Sequence, residues 1–148
     1  MKKLLMVLLL ATACKTSSTT IGPDIQPNGG PRPALDAFLK AVRGQDLQAM
    51  AAAWGTKEGS VQNTTRIPRD EAERRELIMM CYFKHDRYRV LDEQPAPDGE
   101  RVMQVELTKG TLSRTTHFFL ANGGDRWYVR TAEMEPVRDL CVNQGKTK

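Results

Sequence analysis

The sequence predicts an α+β domain in which three N-terminal helices are followed by a four-stranded antiparallel meander. Apolar residues recur every three or four positions between residues 33 and 83, a helical spacing, and every second position after His85, a strand spacing. Turn-forming residues separate the strand-like segments, and connections this short require antiparallel neighbours. We expect the helices to pack on one face of the resulting sheet.

Two helices are predicted within residues 33–54. One face of the first carries Leu35, Phe38, Leu39 and Val42, and one face of the second carries Leu47, Met50, Ala51 and Trp54. Gly44 is expected to end the first helix, and Asp46 can cap the free backbone N–H groups that begin the second. Residues 55–66 are polar, contain two glycines and are predicted to form a loop.

The third helix is predicted to begin near Pro68, a residue favoured in the first turn of a helix. Asp70 and Glu71 suit the positive end of its dipole. Residues 69–76 are charged except for one alanine, so this half should be solvated. Residues 77–83 are apolar all round, and this half should run into the core.

Four strands are predicted at residues 88–93, 101–108, 112–121 and 126–134. The sequences Pro-Ala-Pro-Asp-Gly, Lys-Gly and Asn-Gly-Gly-Asp separate them, and each has the composition of a turn.

This order of elements resembles the nuclear transport factor 2-like (SnoaL-like) superfamily, in which a curved sheet wraps a long third helix to form a cone. The similarity lies in residues 34–42, in Asp46-Leu47 and in residues 50–54, which match that family's first helix pair, and the whole pattern spans about residues 33–134. The short hairpin that the family usually places before its third helix has no clear counterpart in residues 55–66. A cystatin-like domain, or another domain with a helix on a meander, is the main alternative.

The first residues have the layout of an export signal. Lys2 and Lys3 precede an apolar run from Leu4 to Leu10, which is too short for a permanent membrane span, and Ala11-Thr12-Ala13-Cys14 follows. This ending resembles the bacterial lipobox, although Ala11 stands where leucine is usual. The resemblance implies a signal peptide at residues 1–13 and a membrane anchor through lipid on Cys14. The alternative is a cleaved, soluble secreted protein in which Cys14 is available for a disulfide.

The resemblance also implies a location in the cell envelope. Lys15 is not the aspartate that retains lipoproteins at the inner membrane of enteric bacteria, so we expect the periplasmic face of the outer membrane. Residues 14–32 are rich in Ser, Thr, Gly and Pro and are predicted to be a disordered tether. A single domain over residues 33–142 and a flexible tail over residues 143–148 complete the chain.

The charge balance excludes a nucleic-acid partner. The net charge of +4 is due to the termini, because residues 33–142 contain 16 basic and 17 acidic residues. A nucleic-acid-binding domain would show an excess of basic residues.

Two cysteines remain if Cys14 carries lipid. In an oxidising envelope, Cys81 and Cys141 are predicted to form a disulfide. Two buried thiols are one alternative. A zinc site built from Cys81, His85, His117 and Cys141 is another, but these ligands are scattered along the chain, and we predict no metal site.

No catalytic signature is recognisable. His85-Asp86 matches the dipeptide of a class of metal-dependent phosphohydrolases, but those enzymes need more histidines than the two present here. Neither a nucleophile elbow nor a glycine-rich phosphate loop occurs. Enzymes of the cone superfamily use acids and tyrosines inside the cone, and the candidates by alternation are Asp92, Glu106, His117 and Tyr128.

These observations favour a non-catalytic binding or structural domain, with no catalytic residue and no cofactor. The alternative is an acid–base enzyme of the cone-like superfamily that acts on a small apolar molecule. A buried carboxylate or histidine at the base of an open pocket would favour the enzyme, whereas an interior filled by Phe, Leu and Met would favour binding.

The third strand is apolar on both faces, since Phe118 and Leu120 point one way while Phe119 and Ala121 point the other. Helices can cover only one of these faces. Either residues 135–141 fold over the second face, or a partner covers it, namely a second copy of the chain or another envelope protein.

Overall fold

The computed structural model describes residues 29–142, in which helices and an antiparallel sheet form an α+β arrangement, as predicted. The helices are α1 Pro31–Gly44, α2 Leu47–Ala53, α3 Arg69–Tyr82 and α4 Arg138–Val142. The strands are β1 Gly55–Thr56, β2 Gly59–Ser60, β3 Arg87–Pro95, β4 Arg101–Lys109, β5 Leu112–Asn122 and β6 Trp127–Ala132. The predictions for the signal peptide, for Cys14, for most of the tether and for the tail lie outside the described residues.

Local sequence accounts for the ends of the first two helices. Helix α1 begins at Pro31, before the predicted boundary at residue 33, because proline suits the first turn, where no N–H partner is needed. Gln45 takes the left-handed conformation that ends the helix, with φ at 55°. The prediction for Asp46 is confirmed, since its Oδ1 accepts a hydrogen bond of 3.0 Å from the N–H of Ala49.

The predicted meander is confirmed. Strands β3, β4, β5 and β6 lie side by side in sequence order, and each pair is antiparallel. The register slips by one residue at Leu91 in β3 and at Arg130 in β6, which are bulges that bend and twist the sheet. Beyond β6, Trp54 makes a parallel bridge to Val129.

The predicted loop over residues 55–66 is wrong in its first half. Strands β1 and β2 form a short antiparallel hairpin in which Gly55 pairs with Ser60 and Thr56 with Gly59. Gly59 has a φ of +124°, which side chains rarely adopt. A Cβ on Gly55 would lie 2.9 Å from Cδ1 of Tyr128, so glycine is required for the hairpin to approach the sheet. Strands of two residues are too short to leave a periodic signal.

Not all helices are N-terminal, because α4 follows the sheet. Val137 and Leu140 are fully buried in the same core as the helices. Lys109 Nζ donates a 2.6 Å hydrogen bond to the carbonyl of Leu140, and Arg114 pairs with Asp139. The proposal that residues 135–141 cover the second face of β5 is therefore wrong, since this segment packs on the helical side.

The core lies between the helices and one face of the sheet. Phe38 of α1, Phe83 after α3 and Phe118 of β5 meet with ring centroids 5.0–6.3 Å apart, and all three are fully buried. Each buried aromatic ring contributes a large apolar area to this core. Among residues 29–142, the buried residues of this core span positions 34 to 140.

We call the opposite face of the sheet the outer face. It is polar near the β4–β5 turn and apolar at the other end, where buried Ala121 and Tyr128 pair. Alternation places Arg89, Glu106 and His117 on the outer face. Phe119 shares this face and lies under the guanidinium of Arg130, whose Cζ is 5.9 Å from the ring centroid. This contact partly covers the apolar ring, as expected for a cation–π pair.

Helix α3 departs from its predicted orientation. We expected residues 77–83 to be buried all round, but the side chains of Leu77 and Ile78 are about half exposed, at 54% and 50%. Instead, the buried face of the helix carries Ala72, Glu76 and Met79. The helix lies on the surface of the helical layer, so only one face can be buried, and that face includes an acid.

Candidate functional site

An open groove lies on the helical side of the molecule, between α2, residues 61–68 and the first half of α3. Its volume is about 740 Å³, which is within the range of small-molecule sites. No sheet residue lines it. The lining residues are Leu47, Gln48, Ala51, Val61, Gln62, Thr64, Thr65, Ile67, Pro68, Arg69, Ala72, Glu73 and Glu76.

Glu76 is the unusual residue of this groove. Only 3% of it is exposed, and no residue among 29–142 donates a hydrogen bond to its carboxylate or provides a cation for it. Burial raises the pKa of Glu76, and the negative charge of Glu73 raises it further. Partial removal of water from a carboxylate without a partner disfavours its charged form.

The other two charged residues of the groove neutralise each other at its rim. Arg69 and Glu73 are one helical turn apart, and Arg69 Nε lies 3.0 Å from Glu73 Oε1. Both side chains are largely solvent-exposed. The charge at the bottom of the groove is therefore left uncompensated.

Sequence reasoning missed Glu76, which it assigned to the solvated half of α3. The pairing of Asp70 with Arg74 and of Glu71 with Arg75 agrees with that assignment on the exposed side. A signal was present, because Glu76 lies four residues after Ala72, the one apolar residue in the charged half. Recognising it required knowing which side of α3 faces α2.

None of the four acid–base candidates lines the groove, and of the four Tyr128 alone is buried, with 4% of it exposed. The carboxylate of Asp92 is exposed and accepts a 2.6 Å hydrogen bond from Gln94. Glu106 pairs with Arg89 at 3.2 Å, and His117 Nδ1 lies 2.9 Å from Glu133 Oε2. The hydroxyl of Tyr128 is 3.3 Å from both carboxylate oxygens of Asp125, and burial raises its pKa. The structure does not bring these four residues together in one pocket.

Cys81 and Cys141 are brought together. Their sulfur atoms are at disulfide-bonding distance, 2.01 Å apart, and join the end of α3 to α4. The suggested zinc set fails, because its two cysteines bond each other while His85 is buried and His117 lies on the outer face. Among residues 29–142, no group of three or more His, Cys, Asp or Glu side chains is arranged to hold a metal ion.

His85 has a structural position. Its Nδ1 donates a 2.8 Å hydrogen bond to the carbonyl of Phe83, its ring packs edge-to-face on Tyr88, and burial lowers its pKa. Asp86 accepts a 2.6 Å hydrogen bond from the N–H of Gly110, which ties α3 to the β4–β5 turn. The hydroxyl of Tyr88 donates to Asp36 at 2.7 Å, and burial together with this contact raises the pKa of Tyr88 to about 12.

Within the described part of the chain, no helix combines the length and the apolar character needed to cross a bilayer. Comparison of the sequence and the structure with protein families, curated proteins and solved structures finds no match. The site must therefore be interpreted from its own geometry.

Proposed function

We propose that this chain is an exported lipoprotein whose domain binds a ligand or partner in the cell envelope without catalysing a reaction. The export signal and the lipobox-like ending at Cys14 support the first half of this proposal. The cysteine pair supports it indirectly, because disulfides persist in oxidising compartments outside the cytoplasm. On this proposal the domain is held by lipid at the periplasmic face of the outer membrane.

The apolar side chains that fill the interior support the proposal that the domain is not catalytic. Phe38, Phe83 and Phe118 occupy the space between α1 and the sheet, where a cone-type enzyme would place its substrate. Met103 and Leu107 are also fully buried on that face. Asp92, Glu106 and His117 have polar partners on the exterior, and the buried Tyr128 has its hydroxyl beside Asp125. None of these four residues lines the groove, and a proton-transfer group must be within reach of a bound substrate.

The cone-like fold remains a proposal too. The hairpin of β1 and β2 before α3 supports a resemblance to the nuclear transport factor 2-like superfamily, because that family usually has a hairpin there. Helix α4 after the sheet is a departure from the predicted order.

One observation favours the enzymatic alternative, namely the buried acid Glu76 in an open groove. Acid–base chemistry on a small apolar molecule would need a second proton-transfer group beside it. The other charged residues of the groove are Arg69 and Glu73, which pair with each other at the rim. Glu76 is therefore better suited to binding than to turnover.

We also infer that the outer face of the sheet is the surface through which a second copy, or another envelope protein, would bind. Val102 and Phe119 pair there and are only partly buried. Sedimentation of the chain from residue 15 onward, at tens of micromolar, tests self-association. Phe119→Arg should dissociate a dimer, whereas Thr56→Arg on the exposed hairpin should not. A strict monomer in the unmodified chain would contradict the self-association version.

Lipid attachment is tested separately in the bacterial host. Cys14→Ala should abolish labelling by radioactive palmitate and move the processed protein from the membrane to the soluble fraction. Cys81→Ala changes a cysteine outside the lipobox and should keep the label. Continued labelling and membrane association of Cys14→Ala would show that the anchor assignment is wrong.

A further inference from the structure

The groove has walls that are partly apolar and partly polar, and it contains one buried acid that lacks a counter-charge. We propose that it binds a small molecule carrying an ammonium group on an apolar body, with the carboxylate of Glu76 as the counter-ion. This inference rests on the proposed binding function and specifies the class of ligand.

The charge of the ligand follows from the surroundings of Glu76. Arg69 is already paired with Glu73 at 3.0 Å, and within residues 29–142 no other basic residue lines the groove. Glu73 adds negative potential at Glu76, as its effect on the pKa of that group shows. A negative potential attracts a cation and repels an anion, and the interaction is stronger where water is scarce. A cation is therefore favoured over a neutral hydrogen-bond acceptor.

The apolar residues that line the groove indicate that the ligand has an apolar body. Leu47 and Ala51 of α2, Val61 and Ile67 of the connecting segment, and Ala72 of α3 line the same groove as Glu76. Gln48, Gln62, Thr64 and Thr65 add neutral polar groups to the lining. Sites for small molecules commonly have mostly apolar walls and a few polar groups that fix the orientation of the ligand.

The sequence pattern of α3 supports a role in binding. An acid occupies an inward position, while Leu77 and Ile78, one and two residues later, face solvent. Replacing Glu76 with an apolar residue would favour folding, since burial of an unpaired carboxylate is unfavourable. Breaks in the expected pattern of this kind are found mainly at functional sites.

The test is calorimetric titration of the chain from residue 15 onward with three probes that share a six-carbon alkyl chain and differ only in their head group: n-hexylammonium, 1-hexanol and heptanoate. This chain retains every core residue found among residues 29–142 and the Cys81–Cys141 pair. We expect hexylammonium to bind most tightly. Glu76→Gln should weaken its binding about 10- to 100-fold, the range for a lost hydrogen bond to a charged group, and should leave hexanol nearly unaffected. Glu71→Gln, which removes the same charge from the exposed side of α3, is the matched control and should change little.

A pH series adds a second measurement. The charged groups that face Glu76 are Glu73 and Arg69 of α3, while α2 and residues 61–68 contribute only neutral side chains to the groove. Hexylammonium binding should strengthen as the pH rises and Glu76 ionises, and Glu76→Gln should remove most of this dependence. Tighter binding of hexanol than of hexylammonium, strongest at acid pH, would show that Glu76 acts as a neutral donor and would overturn the inference.

Occupancy of the groove itself is checked with Ala51→Phe, which fills it from the α2 side and should abolish binding of hexylammonium. Unchanged binding in this variant would locate the probe elsewhere and overturn the inference. Failure of all three probes to bind the folded wild-type chain would overturn it as well. Lipid attachment at Cys14 is measured on another part of the chain, so either proposal can fail without the other.

Discussion

Removing the covalent link between α3 and α4 should lower the free energy of unfolding by about 4 kcal/mol. Cys81 and Cys141 are 60 residues apart in the chain. A cross-link over that interval restricts the unfolded chain, and the loop-closure entropy for about 60 residues corresponds to about 4 kcal/mol near room temperature. The native contacts of α4, including buried Leu140, remain when the sulfur atoms are removed. The loss should therefore arise mainly from a freer unfolded state.

The perturbation is the double variant Cys81→Ala/Cys141→Ala, compared with the oxidised chain in urea unfolding. The midpoint should fall, and the dependence on urea should steepen because a chain without the link exposes more surface when unfolded. Adding reductant should shift the wild type by a similar amount and leave the double variant unchanged. A loss below about 1 kcal/mol would refute the reasoning. Two alkylated cysteines in denatured, unreduced protein from the envelope would refute the disulfide itself.

Two further predictions concern Glu76 and the core. Glu76 is protonated more readily in the folded protein than in the unfolded chain, so its contribution to stability is present at acid pH and is lost as the pH rises from about 4.5 through its raised pKa. Glu76→Gln should match the wild type near pH 4 and exceed it at neutral pH by about 1.4 kcal/mol for each unit by which the pKa is raised, measured by thermal unfolding across pH. An equal or lower stability of the variant at neutral pH would contradict this assignment. Phe118→Ala should cost about 3–5 kcal/mol, because it leaves a cavity among three packed rings, whereas Phe119→Ala on the outer face should cost about 1 kcal/mol or less. Similar losses in urea unfolding would show that the two faces of β5 are buried alike.

The periodicity of apolar residues in the sequence was sufficient to predict the main helices and strands. The 3.6-residue pattern of α1 and the alternation of β4 and β5 are long enough to stand out from chance, and Asp46 caps α2 as its residue type predicts. The turns determined the topology, since short connections leave antiparallel pairing as the only arrangement. The pairing of Cys81 with Cys141 was predictable because they are the two cysteines left beyond the lipobox-like segment.

The groove was not predictable, because the successive segments that form it, between residues 47 and 76, share no sequence pattern that shows how they pack. Glu76 belongs to a run of charged residues, and only the packing of α3 against α2 distinguishes it from its solvated neighbours. The same packing exposes Leu77 and Ile78. A helix pattern that is apolar all round indicates no preferred face, so the neighbouring elements decide the orientation.

The sequence by itself determined the α+β class, the three helices before the sheet and the antiparallel meander, because these depend on local periodicity and turn chemistry. It did not predict the β1–β2 hairpin or α4. Tertiary structure decided what covers each surface. Val137 and Leu140 turn the C-terminal segment toward the helical side, Arg130 lies over Phe119 on the outer face, and Glu76 is buried without a counter-charge. Burial and electrostatic environment depend on every element that packs against a residue, and a local pattern contains only part of that information.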